Sequence, residues 1–500
     1  METHADEWFD VVVVGAGVSG IGAAMHLRTE TPDLSFTLLE ARDAIGGTWD
    51  LFRYPGVRSD SDVQTYAYAW KPWTNDDTVA DGDAILRYLD DAIDEQDLRR
   101  RVRFGHRVRR IEWSSADSCW TLAVERVETG EVVRLRCWWI VAGTGYYRYD
   151  QGHLPEFAGL DRFRGAYFHA QEWPDDLAVD GARVVVIGSG ATAATLVPAL
   201  AERGARVTML QRSPSYYLSL PAHDAIADVM RRRLPLARAE SWTRGKNQAT
   251  QALFYRLCRW FPQVMRRLLI GDATRRLPDG YDVATHFTPA YAPWDQRMCI
   301  VPDGDLFRAI SSGRADVVTG VIGTFTERGI RLASGEEITA DVVVAATGLE
   351  VLALGDMHVV VDGEVLAAGE RVVYKSVMLS DMPNFAYVFG YTNASWTLKV
   401  DLACTWVCRV LRHMRNTGAT KAVVSPDDPT MPTRSMLDLA AGYLTRAVDR
   451  IPRQGTGTWA VPKSYRADAR RLLRDPIDDG LLQFSRAPVM APTAPESGRR

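Results

Sequence analysis

Two stretches of the chain repeat one pattern of apolar and polar positions. In the first, the β-branched run Phe9 to Val14 meets Gly15-Ala16-Gly17-Val18-Ser19-Gly20. The small residues Ile21-Gly22-Ala23-Ala24 follow, and a second apolar run, Phe36 to Leu39, stops at Glu40. In the second, Arg183 to Ile187 meets Gly188-Ser189-Gly190-Ala191-Thr192-Ala193, and Ala205 to Leu210 stops at Gln211. Short apolar runs bounded by glycine read as buried parallel strands, so each stretch predicts strand, glycine turn, helix and strand. Val11 to Leu27 nears transmembrane length, but its glycine spacing is better explained by such a turn.

Ile85 to Ile93 has the spacing of an amphipathic helix. The basic run Arg99 to Arg110 reads as a strand with one solvated face, since Val102, Phe104 and Val108 alternate within it. Ile111 to Trp113, Trp120 to Glu125 and Val132 to Val141 continue as an antiparallel meander that ends in Ala142-Gly143-Thr144-Gly145. From about residue 223 to 290 the rhythm turns helical, with Trp242, Phe254, Leu257, Trp260, Phe261 and Met265 on apolar faces. Strands return at Val317-Val318, Gly329 to Leu332 and Asp341 to Ala345, ending in a second such turn, Ala346-Thr347-Gly348. Leu398 to Met414 reads as a helix that Asn393 or Ser395 would cap, its N-terminus aimed at a cofactor ring.

The predicted fold class is α/β: two nested Rossmann-like dinucleotide-binding domains with a helical insertion. The first domain would comprise residues 1–150 and 350–487, the second 151–222 and 296–349, the insertion 223–295, and a disordered tail 488–500. Five hundred residues exceed what one core holds, about 250–300.

Composition narrows the function classes. A net charge of −4 and the lack of a nucleic-acid motif argue against a nucleic-acid partner. The six cysteines form no CxxC pair, which points to a reducing compartment and away from a dithiol–disulfide reductase. The start METHADEWFD has no signal pattern, so a cytoplasmic location is expected. No metal site is read. Between Arg231 and Arg276 twelve Arg/Lys stand against Glu240 and Asp272. That excess could attract an anionic cofactor or a membrane surface, and a solvated charged face is the simpler reading.

The glycine turns carry the first chemistry. Gly15, Gly17 and Gly20 allow a tight turn and close approach of a pyrophosphate to a helix N-terminus, and Glu40 suits ribose hydroxyls. At the second turn Gln211 replaces the acid, and Arg212-Ser213 follow, which favours NADP over NAD. The loop Gly46 to Asp60, dense in glycine, proline and aromatics, has a fixed shape. Trp49 and Tyr54 would be a flat wall against the first cofactor, and Asp60 a buried charge.

Phe163 to Pro174, FRGAYFHAQEWP, lies between the two turns and reads as a joint. His169 within it is either a general base or a histidine that hydrogen-bonds within the joint. The second reading is preferred, because His169 lies on no cofactor turn.

The joint matches the Baeyer–Villiger monooxygenase fingerprint FxGxxxHxxxWP at Phe163, Gly165, His169, Trp173 and Pro174. The loop matches that family's GGxWxxxxYPGxxxD from Gly46 to Asp60. The chain therefore resembles this family over nearly its whole length. GGTWDLFRYPGVRSDSD, GSGATAATLVPAL, PWDQRMC and GYTNASWTLK resemble its ethionamide-activating group. The resemblance implies FAD at Gly15, Gly17, Ser19, Gly20, Glu40, Thr48, Trp49, Asp60 and Val108. It implies NADPH at Arg58, Gly188, Ser189, Gly190, Ala191, Thr192, Ala193, Ala194, Arg212 and Ser213. Arg297 matches the family's catalytic arginine and Asp60 its charge partner. The implied reaction inserts one oxygen of O2 beside a ketone carbonyl through a C4a-peroxyflavin, giving an ester or lactone. Many members carry lysine before that arginine to hold the NADP 2′-phosphate. Gln296 stands there instead, leaving the phosphate to Arg212 and Ser213. The alternatives are a flavin-dependent S- or N-oxygenase acting on a sulfide, thioamide or amine, and a non-catalytic NADP(H) redox sensor.

Overall fold

The computed structural model describes residues 7–74, 77–437 and 442–486. The tail expected at 488–500 lies outside the described residues. Both glycine patterns fold as their apolar runs dictate. Strand Glu7–Val14 pairs in parallel with Phe36–Leu39 on one side and with Val132–Ala142 on the other. Helix Val18–Glu30 covers them. The meander His106–Ser114, Cys119–Arg126 and Val132–Ala142 extends this nine-stranded sheet, and the later strands His358–Val361 and Phe385–Tyr387 add to it in parallel. Apolar clusters bury both of its faces.

The second sheet is all parallel. Its order is Ala315–Thr319, Arg206–Gln211, Arg183–Ile187, Val342–Ala345 and Ala166–His169. Both faces are apolar, as parallel sheets require. Ala166–His169 corrects the sequence reading of a bare joint: a third of the fingerprint segment is an edge strand of this sheet. The chain crosses between the sheets as a two-stranded antiparallel ribbon, Tyr147–Gly152 against Leu349–Val351. Each crossing follows one of the paired glycine turns at Gly143 and Gly348.

The basic run is solvated as expected, but it also includes a short 3-10 turn, Arg99–Arg101, before strand His106–Ser114. Nearby carboxylates neutralise it: Arg99 pairs with Asp90 and Asp94, Arg100 with Asp97, and Arg103 with Glu7. Helices Ala225–Arg233, Leu236–Trp260 and Pro262–Arg276 form the insertion. Met265 is buried there, and Phe254 and Leu257 are half-buried, whereas Trp242, Trp260 and Phe261 are exposed, contrary to the sequence expectation.

Helix Trp396–Thr417 begins at Ser395, yet Ser395 does not cap it. Its hydroxyl meets Thr65 Oγ1 at 2.5 Å, and Asn393 donates to Lys463 O. Two buried lysines pin the following segment. Lys399 Nζ lies 2.6 Å from Asp468 Oδ2, which also accepts from the Tyr391 hydroxyl at 2.7 Å. Lys375 Nζ lies 2.9 Å from Asp479, which accepts from Tyr374. Burial lowers the pKa of Lys399, and Asp468 only partly restores it. Lys399→Met, which strands a buried carboxylate, should cost about 3–5 kcal/mol. Lys399→Met combined with Asp468→Leu should recover part of that loss. Thermal unfolding of the two variants checks this, and equal losses would contradict it.

Candidate active site

One cavity of about 990 Å³ runs between the sheets and is lined by both glycine turns. Of the residues expected at FAD, Gly15, Gly17, Ser19, Glu40, Thr48, Trp49, Asp60 and Val108 line it. Of those expected at NADPH, Arg58, Gly188, Ser189, Gly190, Ala191, Thr192, Arg212 and Ser213 line it, and so does Arg297. Gly20, Ala193 and Ala194 are not on its wall. Gly20 packs where a Cβ would lie 1.8 Å from Gly15 O, and the two alanines face the core beneath their helix.

The two turns have the same construction. Gly15 has φ +99° and a Cβ there would meet Gly143 O at 2.8 Å. Gly188 has φ +139° and a Cβ there would meet Ala346 O at 2.3 Å. Gly17 and Gly190 sit at the N-caps of their helices without side-chain caps, so backbone N–H groups point into the cavity. Glu40 braces the first turn by accepting from the N–H groups of Ala16 at 2.7 Å and Arg42 at 2.9 Å. Burial raises its pKa despite these bonds.

At the second turn, Gln211 faces away from the cavity, donating to His286 O and Thr319 Oγ1. Arg212 and Ser213 are exposed at the strand end, and Ser189 Oγ donates to Ser213 O at 3.0 Å. Arg58 Nη1 pairs with Asp305 at 2.5 Å, while its Nη2 is buried without a hydrogen-bond partner. An unpaired guanidinium nitrogen, two uncapped helix N-termini and an exposed arginine fit phosphate-bearing cofactors.

The loop from Gly46 to Asp60 packs on both sheets. Trp49 donates to the Tyr66 hydroxyl at 2.5 Å on the first side. Tyr54 packs instead into the core of the second sheet, and Gly56 lies where a Cβ would meet Thr195 O at 2.6 Å. Tyr54 is therefore not only a wall for the first cofactor. The loop ends at Asp60, which is one-third exposed to the cavity and not the buried charge expected. Its carboxylate holds Arg297 by both oxygens: Nε to Oδ2 at 2.7 Å and Nη2 to Oδ1 at 2.8 Å. Burial would pull the Arg297 pKa down, but Asp60 and the nearby tyrosines outweigh it, so the guanidinium is held above its usual range. Trp294, three residues earlier, takes φ +70°, an outlier for a bulky side chain.

Sequence reasoning missed the aromatic ring of groups around this pair. The Tyr146 and Tyr147 hydroxyls meet at 2.6 Å, and Tyr443 joins them near Arg297. Burial raises the pKa of all three phenols. Tyr146 stacks on Trp396 at 5.5 Å and 8°, and Trp396 Nε1 donates to Ser19 Oγ at 2.8 Å. The doublet Tyr146-Tyr147 directly after Gly145 was the available signal.

His169 is buried at the end of the edge strand Ala166–His169, against the crossing ribbon. Its Nδ1 accepts from Gln171 N–H at 3.1 Å, so Nε2 carries the proton and donates to Gly348 O at 3.0 Å. Its ring packs on Gly152, where a Cβ would lie 2.0 Å away. Both nitrogens are thus engaged by backbone, as the hydrogen-bonding reading of this histidine expects. Burial lowers its pKa below 6.5. The neutral form is therefore favoured by folding, and this contribution is full above 6.5 and lost as pH falls through the lowered value. His169→Leu should cost about 1–3 kcal/mol for each backbone group left unpaired, and leave the pH profile of turnover unchanged. A pH–rate profile that loses a limb in this variant would contradict it.

A family model described as flavin-binding monooxygenase-like matches residues 9–230. The putative FAD-containing monooxygenase MymA of Mycobacterium tuberculosis is 48% identical over 488 residues, covering 96% of this chain and 98% of MymA. The FAD-containing monooxygenase EthA of the same organism is 46% identical over 485 residues, covering 97% and 99%. Among solved structures, an oxidized steroid monooxygenase bound to NADP aligns with TM-score 0.74 at 21% identity, covering 93% of this chain and 97% of that one. OTEMO in complex with FAD and NADP aligns with TM-score 0.68 at 23% identity, covering 83% and 88%. These two share the fold. The chain belongs to the flavin-binding monooxygenase-like family.

Proposed function

We propose that the chain is a Baeyer–Villiger monooxygenase: ketone, O2, NADPH and a proton give an ester or lactone, water and NADP+. In this reading FAD lies on the Gly15 turn and NADPH on the Gly188 turn. Bound FAD supplies the oxygen activation, after a hydride from NADPH. The chain supplies position and charge. Helix N-termini and Arg58 Nη2 hold phosphates, Glu40 a ribose, and Arg212 and Ser213 a 2′-phosphate. Trp49, Tyr146 and Trp396 wall the reacting groups from water. The observation that carries the proposal is the bidentate Arg297–Asp60 pair facing the cavity between both turns. A permanently protonated guanidinium stabilises negative charge on oxygen without surrendering a proton. This role also argues against the non-catalytic sensor.

Oxygenation at sulfur or nitrogen is the second reading. It is favoured by the Tyr146 and Tyr147 hydroxyls beside Arg297, which burial keeps protonated and which can donate hydrogen bonds to a leaving oxygen. Turnover of phenylacetone and thioanisole by one preparation, scored by product mass, tests both. The first reading expects ester from phenylacetone. Sulfoxide alone would replace it with the second.

A further inference from the structure

The outward faces of the two long insertion helices carry a pattern that neither cofactor site uses. On Leu236–Trp260, the residues Arg238, Trp242, Leu253, Arg256 and Trp260 fall within about 60° of one another at 100° per residue. The stripe continues past the corner as Phe261, Val264 and Leu268. Leu253, Trp260, Phe261, Val264 and Leu268 are each more than half exposed. Arg238, Arg256 and Arg267 are exposed and make no ion pair among the described residues. Neither stripe contains a carboxylate. Four of the nearby acids are already engaged: Glu240 by Arg231, Asp272 by Arg275 and Arg276, Asp224 by Lys246, and Asp295 by Arg259.

We propose that this face docks on an anionic lipid surface. Tryptophan, phenylalanine and leucine flanked by unpaired arginines suit the boundary between headgroups and acyl chains. The helix would lie along that surface over about 37 Å of its length. It does not span it: among the described residues no helix is long and apolar enough to cross a membrane. Charge decides against a second copy as the occupant. A two-fold contact would set the same arginines against themselves with no acid in the stripe to balance them. The inner side of the long helix connects to the active site. Asn247 donates to Asp62 at 2.9 Å, and Gln251 donates to the same carboxylate, two residues from Asp60. Docking would thus bring the cavity close to substrate dissolved in lipid. The inference is independent of whether the product is an ester or a sulfoxide.

Sedimentation of the full FAD-loaded chain with vesicles tests it. The chain should pellet with vesicles of equal phosphatidylglycerol and phosphatidylcholine, much less with phosphatidylcholine alone, and be released by salt. Arg256→Gln with Arg267→Gln should weaken binding roughly 30-fold, at about fivefold per cation. Trp260→Ser with Phe261→Ser should weaken it at least about tenfold. NADPH oxidation in both variants should match the parent, which verifies folding. No binding to anionic vesicles, equal binding to neutral ones, or binding unchanged in both variants would overturn the proposal. So would a parent dimer, seen by light scattering, that dissociates in the Trp260/Phe261 variant.

Discussion

Arg297→Ala should keep NADPH-driven flavin reduction near the parent rate and lower ester formation by about 100- to 1,000-fold. The guanidinium is the one permanent positive charge that Asp60 holds in register with the cavity, by two hydrogen bonds of 2.7 and 2.8 Å. Removing it deletes a preorganised charge, and water admitted in its place must reorganise as the reaction proceeds. It also leaves Asp60 facing the cavity with unbalanced negative charge, which opposes the charge that develops on oxygen. The three phenols nearby can donate hydrogen bonds but carry no charge, since burial keeps them protonated. Arg297→Lys should recover only part of the loss, because a point charge cannot repeat the two-point grip on Asp60. Stopped-flow absorbance separates flavin reduction from the oxygenation step. Loss of reduction in the alanine variant, or full ester formation by it, would contradict the role assigned to Arg297.

Gly188→Ala should abolish most NADPH-dependent reduction while leaving FAD bound. The methyl group would lie 2.3 Å from Ala346 O, a backbone atom that cannot rotate away. The φ of +139° is also one that side chains rarely adopt. Backbone strain of about 1–2 kcal/mol and overpacking of about 1–3 kcal/mol imply roughly 30- to 5,000-fold weaker NADPH use. The displaced turn is the one whose N–H groups face the cavity, so the loss should appear as raised KM and slowed reduction together. Dithionite, which bypasses the nicotinamide, should still reduce the flavin of this variant. The same substitution at Gly190, where a Cβ meets no protein atom, should leave folding intact.

What was legible in the sequence was local. Each glycine turn lies within one strand–turn–helix segment, so its residues declare its geometry. Asp60 was legible as a charge in its loop, but its pairing with Arg297 came only from the family resemblance, since 237 residues separate them and nothing in either neighbourhood requires the other. The phenol group was not legible for a related reason. Tyr146 and Tyr147 come from the first crossing and Tyr443 from a distant segment, and only the antiparallel ribbon brings them to Arg297. Helical periodicity marked Trp242 and Trp260 as apolar stripe residues but carries no information about which side of the helix the protein covers. The joint segment lies between the turns, but its four-residue strand Ala166–His169 is too short for alternation to reveal. His169 declared its part only when both ring nitrogens were seen against backbone partners.

The most direct measurement of the central claim is isotopic. Phenylacetone turned over by the FAD-loaded chain with NADPH under 18O2 should give benzyl acetate carrying one 18O atom, in step with one NADPH oxidised. NADPH oxidation that yields only hydrogen peroxide, or an ester without 18O, would contradict it.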